Sequence, residues 1–157
     1  MKGVRYEPGT ELDRLQEVFP EMRSGLTNKV VLDFGCGRGF QSCAFALAGA
    51  RQVIGVDTNE EALCSARMRV AGQGLGDRVA FTGKIPTGMK ADVIVSQNSF
   101  EHFLDAGEIL AELRAALAPG GKLFVTFAPP WYAPWGAHMG IFCRAPHAVA
   151  RILREPG

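Results

Sequence analysis

The chain has almost no excess charge of either sign, with 17 Lys+Arg against 16 Asp+Glu and a formal net charge of +1. So even a balance gives no clear footprint for nucleic acid or an anionic membrane surface. Long apolar runs are also missing, and no stretch is suited to spanning a bilayer. The opening residues, MKGVRYEPGTELD, lack the apolar core of a secretory signal. Cysteine is scarce: Cys36, Cys43, Cys64 and Cys143 stand 7, 21 and 79 positions apart. Those spacings fit neither a zinc site nor a CxxC redox pair. Free thiols, a reducing compartment and a cytoplasmic location are therefore expected, with no metal site.

What is present suits a folded core. The 157 residues are 47% hydrophobic and 21% charged, the size and composition of one globular domain. GTELDRLQEVF predicts a first short helix, with Thr10 as its cap, Asp13 completing a capping box, and Leu12, Leu15 and Phe19 on one face. KVVLDF is a continuously apolar strand, the pattern of a strand covered on both sides. FQSCAFALAGA then reads as a helix, RQVIGVD as a strand, and NEEALCSARMRVAGQG as a helix with Glu60 and Glu61 in its first turn. RVAFTG and ADVIVSQ predict a third and a fourth strand. AGEILAELRAALAPGG predicts a helix with Ile109, Leu110, Leu113 and Leu117 inward, and GKLFVTFAP a fifth strand.

Strand and helix alternate, the signature of an α/β fold with a mostly parallel sheet and helices on both faces. The expected organisation is a single domain, with a helical lead-in over 1–27, an α/β core over 28–128 and an irregular tail over 129–157. The tail predicts one last short helix around Ala148 to Leu153 and no further strand. The fifth strand would then be an open edge, to be covered by the tail, by a second copy or by another chain.

The segment VVLDFGCGRGFQS carries the chemistry. Gly35, Gly37 and Gly39 stand at alternate positions behind a strand that ends in an acid, Asp33. A parallel strand delivers the chain to the carboxyl edge of the sheet, and a helix must begin almost at once. Glycine makes that turn at positive φ and lets backbone lie close to a ligand. Gly35 would make the turn, Gly37 would face the ligand, and Gly39 would let helix and strand pack closely. Free N–H groups at the helix start would point at the bound molecule.

The spacing G-x-G-x-G differs from the dinucleotide fingerprint G-x-G-x-x-G, and no G-K-[ST] follows. Asp33 is also a poor neighbour for pyrophosphate and a good one for a cation. The second strand ends at Asp57, where a carboxylate can accept from both ribose hydroxyls. Together the two acids describe a nucleoside with a positively charged tail.

VLDFGCGRG resembles the first motif of class I S-adenosylmethionine-dependent methyltransferases, and VIGVD their second. ADVIVSQNSFEHF and LRAALAPGGKLFVTF resemble the segments that follow, so the likeness covers residues 28 to 128. The resemblance implies a Rossmann-like α/β/α sandwich, here without the usual last strands, and S-adenosyl-L-methionine as cofactor. It implies that Asp33, Gly35, Cys36, Gly37 and Gly39 form the cofactor loop near the methionine part. Asp57 would hold the ribose, Thr58 and Ile85 would pack on the adenine, and Gln97, Asn98 and Ser99 would run past the methionine part. The family often places an acid after the third strand to reach the adenine amino group; FTGKIP has Gly83 and Lys84 there instead.

The implied activity is methyl transfer to a small-molecule acceptor. The alternative is a cofactor-binding module without a complete acceptor site of its own. QNSF stands where some nucleic-acid amino methyltransferases have an NPPY-like tetrad. His102 and His138 are the candidate catalytic bases. Trp131, Tyr132 and Trp135 lie near His138 in the tail and would either wall an acceptor pocket or cover the edge of the sheet.

Overall fold

The computed structural model describes residues 10–99, 105–127 and 148–151. In chain order the elements are α1 (Glu11–Val18), α2 (Met22–Gly25), β1 (Val30–Phe34), α3 (Phe40–Leu47), β2 (Gln52–Val56), α4 (Glu60–Gly72), β3 (Val79–Thr82), β4 (Ala91–Gln97), α5 (Ala106–Ala116), β5 (Leu117–Phe127) and β6 (Ala148–Arg151). The strands form one sheet in the order β3-β2-β1-β4-β5-β6. The first five are parallel, and β6 runs antiparallel to β5.

The order reverses beside β1, which pairs with β2 on one side and β4 on the other. At such a switch point the connections leave in opposite directions and open a crevice at the carboxyl ends of the strands. β1 is central, and Val31 to Phe34 are all buried. The alternating side chains supply two cores. On one face Val31, Val53, Val95 and Phe124 pack against Leu12, Leu15 and Phe19 of the first helical segment and Cys43 and Phe45 of α3. Phe19 meets Phe124 edge-on at 4.9 Å between ring centres. On the other face Leu32, Phe34, Ile94 and Val125 pack against Leu113 and Ala116 of α5. The result is the expected three-layer sandwich.

Several local expectations are corrected. Thr10 precedes α1 in a helical backbone conformation, and its side chain makes no cap bond. Asp13 pairs instead with Arg23 at 2.8 Å, bracing α1 against α2, a single turn that the sequence pattern did not predict. Leu110 is 36% exposed, whereas Leu113 is fully buried. A narrow helix stripe reaches this core, and Leu110 falls outside it. Asn59 and Asp105 cap α4 and α5 through their side chains.

The largest correction concerns the tail. Ala148–Arg151 is a strand, not a helix, and it pairs with Phe124–Phe127 of β5. Four residues gain little from an isolated helical turn, whereas an unpaired strand edge offers a ready ladder. Ala148–Arg151 thus covers the Phe124–Phe127 stretch of that edge. The APGG turn between α5 and the body of β5 falls at a break in the ladder: Ala91 pairs with Leu117 and Val93 with Lys122.

Candidate functional site

The glycine loop joins β1 to α3 at the switch point. Gly35, Gly37 and Gly39 all have positive φ, at 77°, 50° and 74°, but their surroundings differ. A Cβ on Gly35 would run into the Ser99 side chain, and one on Gly39 would come within 2.8 Å of Ala66 and Phe81. Those two glycines permit close packing against the β4 end, α4 and β3. A Cβ on Gly37 would meet nothing within 4 Å. Of the three, only Gly37 has room for a side chain.

The loop is held from behind by α4. Arg69 lies over the Phe40 ring and donates to the Arg38 carbonyl at 3.1 Å. The loop's own donors are largely spent. Gly35 and Cys36 N–H both donate to the Val56 carbonyl, Gly37 N–H donates to Asp57 Oδ2 at 2.8 Å, and Gly39 N–H donates to the Cys36 carbonyl. These four loop donors, which precede the start of α3 at Phe40, are already engaged inside the protein. What Gly37 offers a ligand is bare, uncrowded backbone. A phosphate cradle needs several free N–H groups converging on one point, and the four just listed are unavailable for one.

Asp33 is 2% exposed and lies between sheet and α3. Ser42 Oγ donates to it at 2.5 Å and Gln41 Nε2 at 3.2 Å. Burial pushes its carboxyl up to about 7; the nearby Asp57 raises it too, and the two donated bonds oppose the shift. The same burial pushes the Cys36 thiol up. Asp57 has its other oxygen bonded to Asn59 N–H at 2.9 Å, a short turn that leads into α4. It therefore serves the loop and the helix start as well as facing the crevice.

Two clefts open on either side of Gly35 and Asn98. The first, about 500 Å³, is lined by Phe34, Val56, Asp57, Thr58, Ile85 and Ile109, with Gly83, Lys84, Ser99 and Glu112 completing it. The second, about 340 Å³, is lined by Asp33, Cys36, Gly37, Arg38, Gln41 and Gln97 together with Arg14 of α1 and Phe40. Asn98 itself has φ 51°, and its N–H donates to the Thr126 carbonyl at 2.8 Å.

Asp33, Gly35, Cys36, Gly37, Asp57, Thr58, Ile85, Gln97 and Asn98 thus come together from four separate elements and loops. Gly39 lines neither cleft and acts through packing. His102 and His138 lie outside the described residues, as do Trp131, Tyr132 and Trp135. The sequence reading missed Arg14, Gln41, Ser42, Ile109 and Glu112. Gln41 and Ser42 follow the glycine loop directly, and their positions one turn into α3 are the signal that could have found them. Arg14 and Glu112 reach the clefts only through tertiary packing. Among the described residues no cluster of three or more metal-ligating side chains occurs, and no helix is long and apolar enough to cross a membrane. Cys36, Cys43 and Cys64 are free thiols.

The residues present fit a nucleoside with a cationic amino-acid tail. The first cleft has apolar walls in Phe34, Val56, Ile85 and Ile109, with one carboxylate at the end of β2 and a second on α5. The second holds a buried acid and two arginines, Arg14 and Arg38. The open backbone of Gly37 lies beside the second cleft.

A sequence profile described as "Methyltransferase domain" matches residues 32–125, more than half of the chain. A ribosomal protein L11 methyltransferase of Vibrio cholerae serotype O1 is 35% identical over 103 residues, covering 62% of this chain and 33% of that protein. The chain thus spans about a third of that relative's length. A ubiquinone biosynthesis O-methyltransferase of Aromatoleum aromaticum is 31% identical over 160 aligned positions, covering 95% of this chain and 68% of that protein. Among solved structures, magnesium protoporphyrin IX methyltransferase from Synechocystis PCC 6803, determined with bound SAH, matches with a TM-score of 0.64 and 25% identity, over 78% of this chain and 57% of that one.

Proposed function

This chain belongs to the methyltransferase-domain family, its cofactor is S-adenosylmethionine, and from that premise we propose that it transfers the cofactor's methyl group to a small-molecule acceptor. The observation that carries the reading is the pair of clefts meeting at Gly35 and Asn98, with Asp57 in one and Asp33 in the other. When bound, S-adenosylmethionine supplies an electrophilic methyl group on a sulfonium.

The chain's own residues then bind and orient. Asp57 accepts from the sugar hydroxyls, and charge-assisted bonds of this kind contribute about 1.5–3 kcal/mol each. Val56, Thr58, Ile85 and Ile109 pack against the base. Asp33 lies beside the cationic end, whose charge favours the ionised form of this raised carboxyl, while Gln97 and Asn98 border the tail. Holding the reacting partners in line is the main task of such a site. His102 and His138 are proposed to take the acceptor's proton, and Trp131, Tyr132 and Trp135 to wall the acceptor side.

A small acceptor is favoured over a protein by the breadth of the match. The ubiquinone O-methyltransferase aligns with 95% of this chain, the ribosomal-protein methyltransferase with 62%. Magnesium protoporphyrin IX, in the name of the structural relative, is also a small molecule. The cytoplasm is the proposed location.

The test is transfer of a labelled methyl group from S-adenosylmethionine to a panel of phenols, amines and thiols, beside a cell protein extract. Label in small molecules supports the reading, and label confined to protein transfers it to the protein class. Cofactor binding with no transfer to any acceptor supports the alternative, a binding module that needs a partner. His102→Ala and His138→Ala are expected to lower turnover while leaving cofactor binding intact.

A further inference from the structure

The first cleft contains two carboxylates, Asp57 and Glu112. Asp57 is at the end of β2, with Gly37 N–H on one oxygen and Asn59 N–H on the other. Glu112 comes from α5, on the opposite side of the sheet from α3 and α4. It stands three positions after Ile109, so the two share one helix face. Ile109 packs against the core beside Leu113, and both it and Glu112 line the cleft. No described residue donates a hydrogen bond to the Glu112 carboxylate or forms an ion pair with it.

Building on the nucleoside reading above, we propose that Glu112 accepts a hydrogen bond from the exocyclic amino group of adenine, and so selects adenine over a 6-oxo purine. The base needs an acceptor at the edge of a slot walled by Val56, Ile85 and Ile109, where Thr58, Asn98 and Ser99 offer neutral oxygens and Glu112 a charged one. Directly after β3 no side chain offers one: Gly83 has none, and the Lys84 ammonium only donates. Asp57 is committed to the sugar side by its position and its two backbone bonds. Glu112 brings a carboxylate from the helix wall instead. An unpartnered carboxylate is acceptor-only, so it favours an amino edge and repels a carbonyl edge. A site that hydrogen-bonds a ligand N–H rejects the analogue lacking it.

The test uses the whole chain and two ligands, S-adenosylhomocysteine and S-inosylhomocysteine, which differ at the 6-position of the purine. Calorimetry is run on the wild type, Glu112→Ala and Glu112→Gln. The wild type is expected to prefer the adenine ligand by roughly tenfold, the factor that one such bond supplies. Glu112→Ala is expected to lose that preference, weakening the adenine ligand and relieving the repulsion of the 6-oxo ligand, and Glu112→Gln to keep part of it. Glu112 is an exposed helix position, so thermal unfolding of both variants should match the wild type. Two results overturn the assignment while leaving the cofactor reading intact: a wild type that binds both ligands equally, or a Glu112→Ala variant that keeps the wild-type preference. A wild type that binds neither ligand removes the cofactor reading itself and this inference with it.

Discussion

Gly37 donates its backbone N–H to Asp57 Oδ2 at 2.8 Å, joining the loop after β1 to the end of β2. The glycine loop and the second-strand acid are therefore one unit. The residue with the most open surroundings in the loop is pinned by the carboxylate that faces the neighbouring cleft. Removing either partner disturbs both.

Asp57→Ala is expected to weaken binding of S-adenosylhomocysteine on the order of 100-fold, from the loss of charge-assisted bonds to the sugar. It also frees Gly37 N–H and lets the loop relax. Calorimetry gives the affinity. Retention of wild-type affinity would remove Asp57 from the site.

The three glycines should separate in their effects. Gly37→Val carries a positive-φ cost of about 1–2 kcal/mol but no overlap, because nothing lies within 4 Å of its Cβ position. It should fold with a modest loss of stability and fail to bind S-adenosylhomocysteine. Gly35→Ala and Gly39→Ala carry the same φ cost plus overlap with Ser99, and with Ala66 and Phe81. They should lose more stability in urea. A Gly37→Val variant that is still saturable by ligand would show that the ligand does not approach the backbone there.

Asp33 makes stability depend on pH in a defined direction. Its folded value of about 7 stands above the ordinary 3.8, so between about pH 4 and 7 the folded state holds a proton that the unfolded chain has lost. Stability therefore falls as pH rises through that window and levels off above it, where both states are ionised. Asp33→Asn should flatten this part of the profile, and urea unfolding from pH 4 to 8 measures it. A wild-type profile that rises across the window relative to Asp33→Asn would contradict the buried, raised carboxyl.

Leu113 and Leu110 test the register of α5. Leu113→Ala should cost about 2–5 kcal/mol, the usual range for a filled core site. Leu110→Ala should fall within about 0.5 kcal/mol. Equal losses would mean that α5 presents a wider face to the sheet.

Much of this site is visible in the sequence because it is local. The loop Gly35–Gly39 follows its strand directly, and Asp57 closes the next one, so strand ends alone bring them to one edge. β4 is legible residue for residue as ADVIVSQ, since a continuous apolar run bounded by turn residues has one reading. Arg14 and Glu112 are not legible in this way. They arrive on helices whose apolar stripes fix the packing while their polar positions look like any solvated face. β6 was hidden because AVAR has no strand pattern of its own; its conformation comes from the edge it pairs with. The spent N–H groups of Gly35, Cys36 and Gly37 were also invisible, since their partners, Val56 and Asp57, lie about twenty positions away.

The most direct measurement is a crystal structure of the chain with S-adenosylhomocysteine. The account predicts the sugar hydroxyls on Asp57, the base between Val56, Ile85 and Ile109, and the amino-acid tail passing Gly37 toward Asp33. A ligand bound elsewhere, or a ligand whose sugar lies away from Asp57, would contradict it.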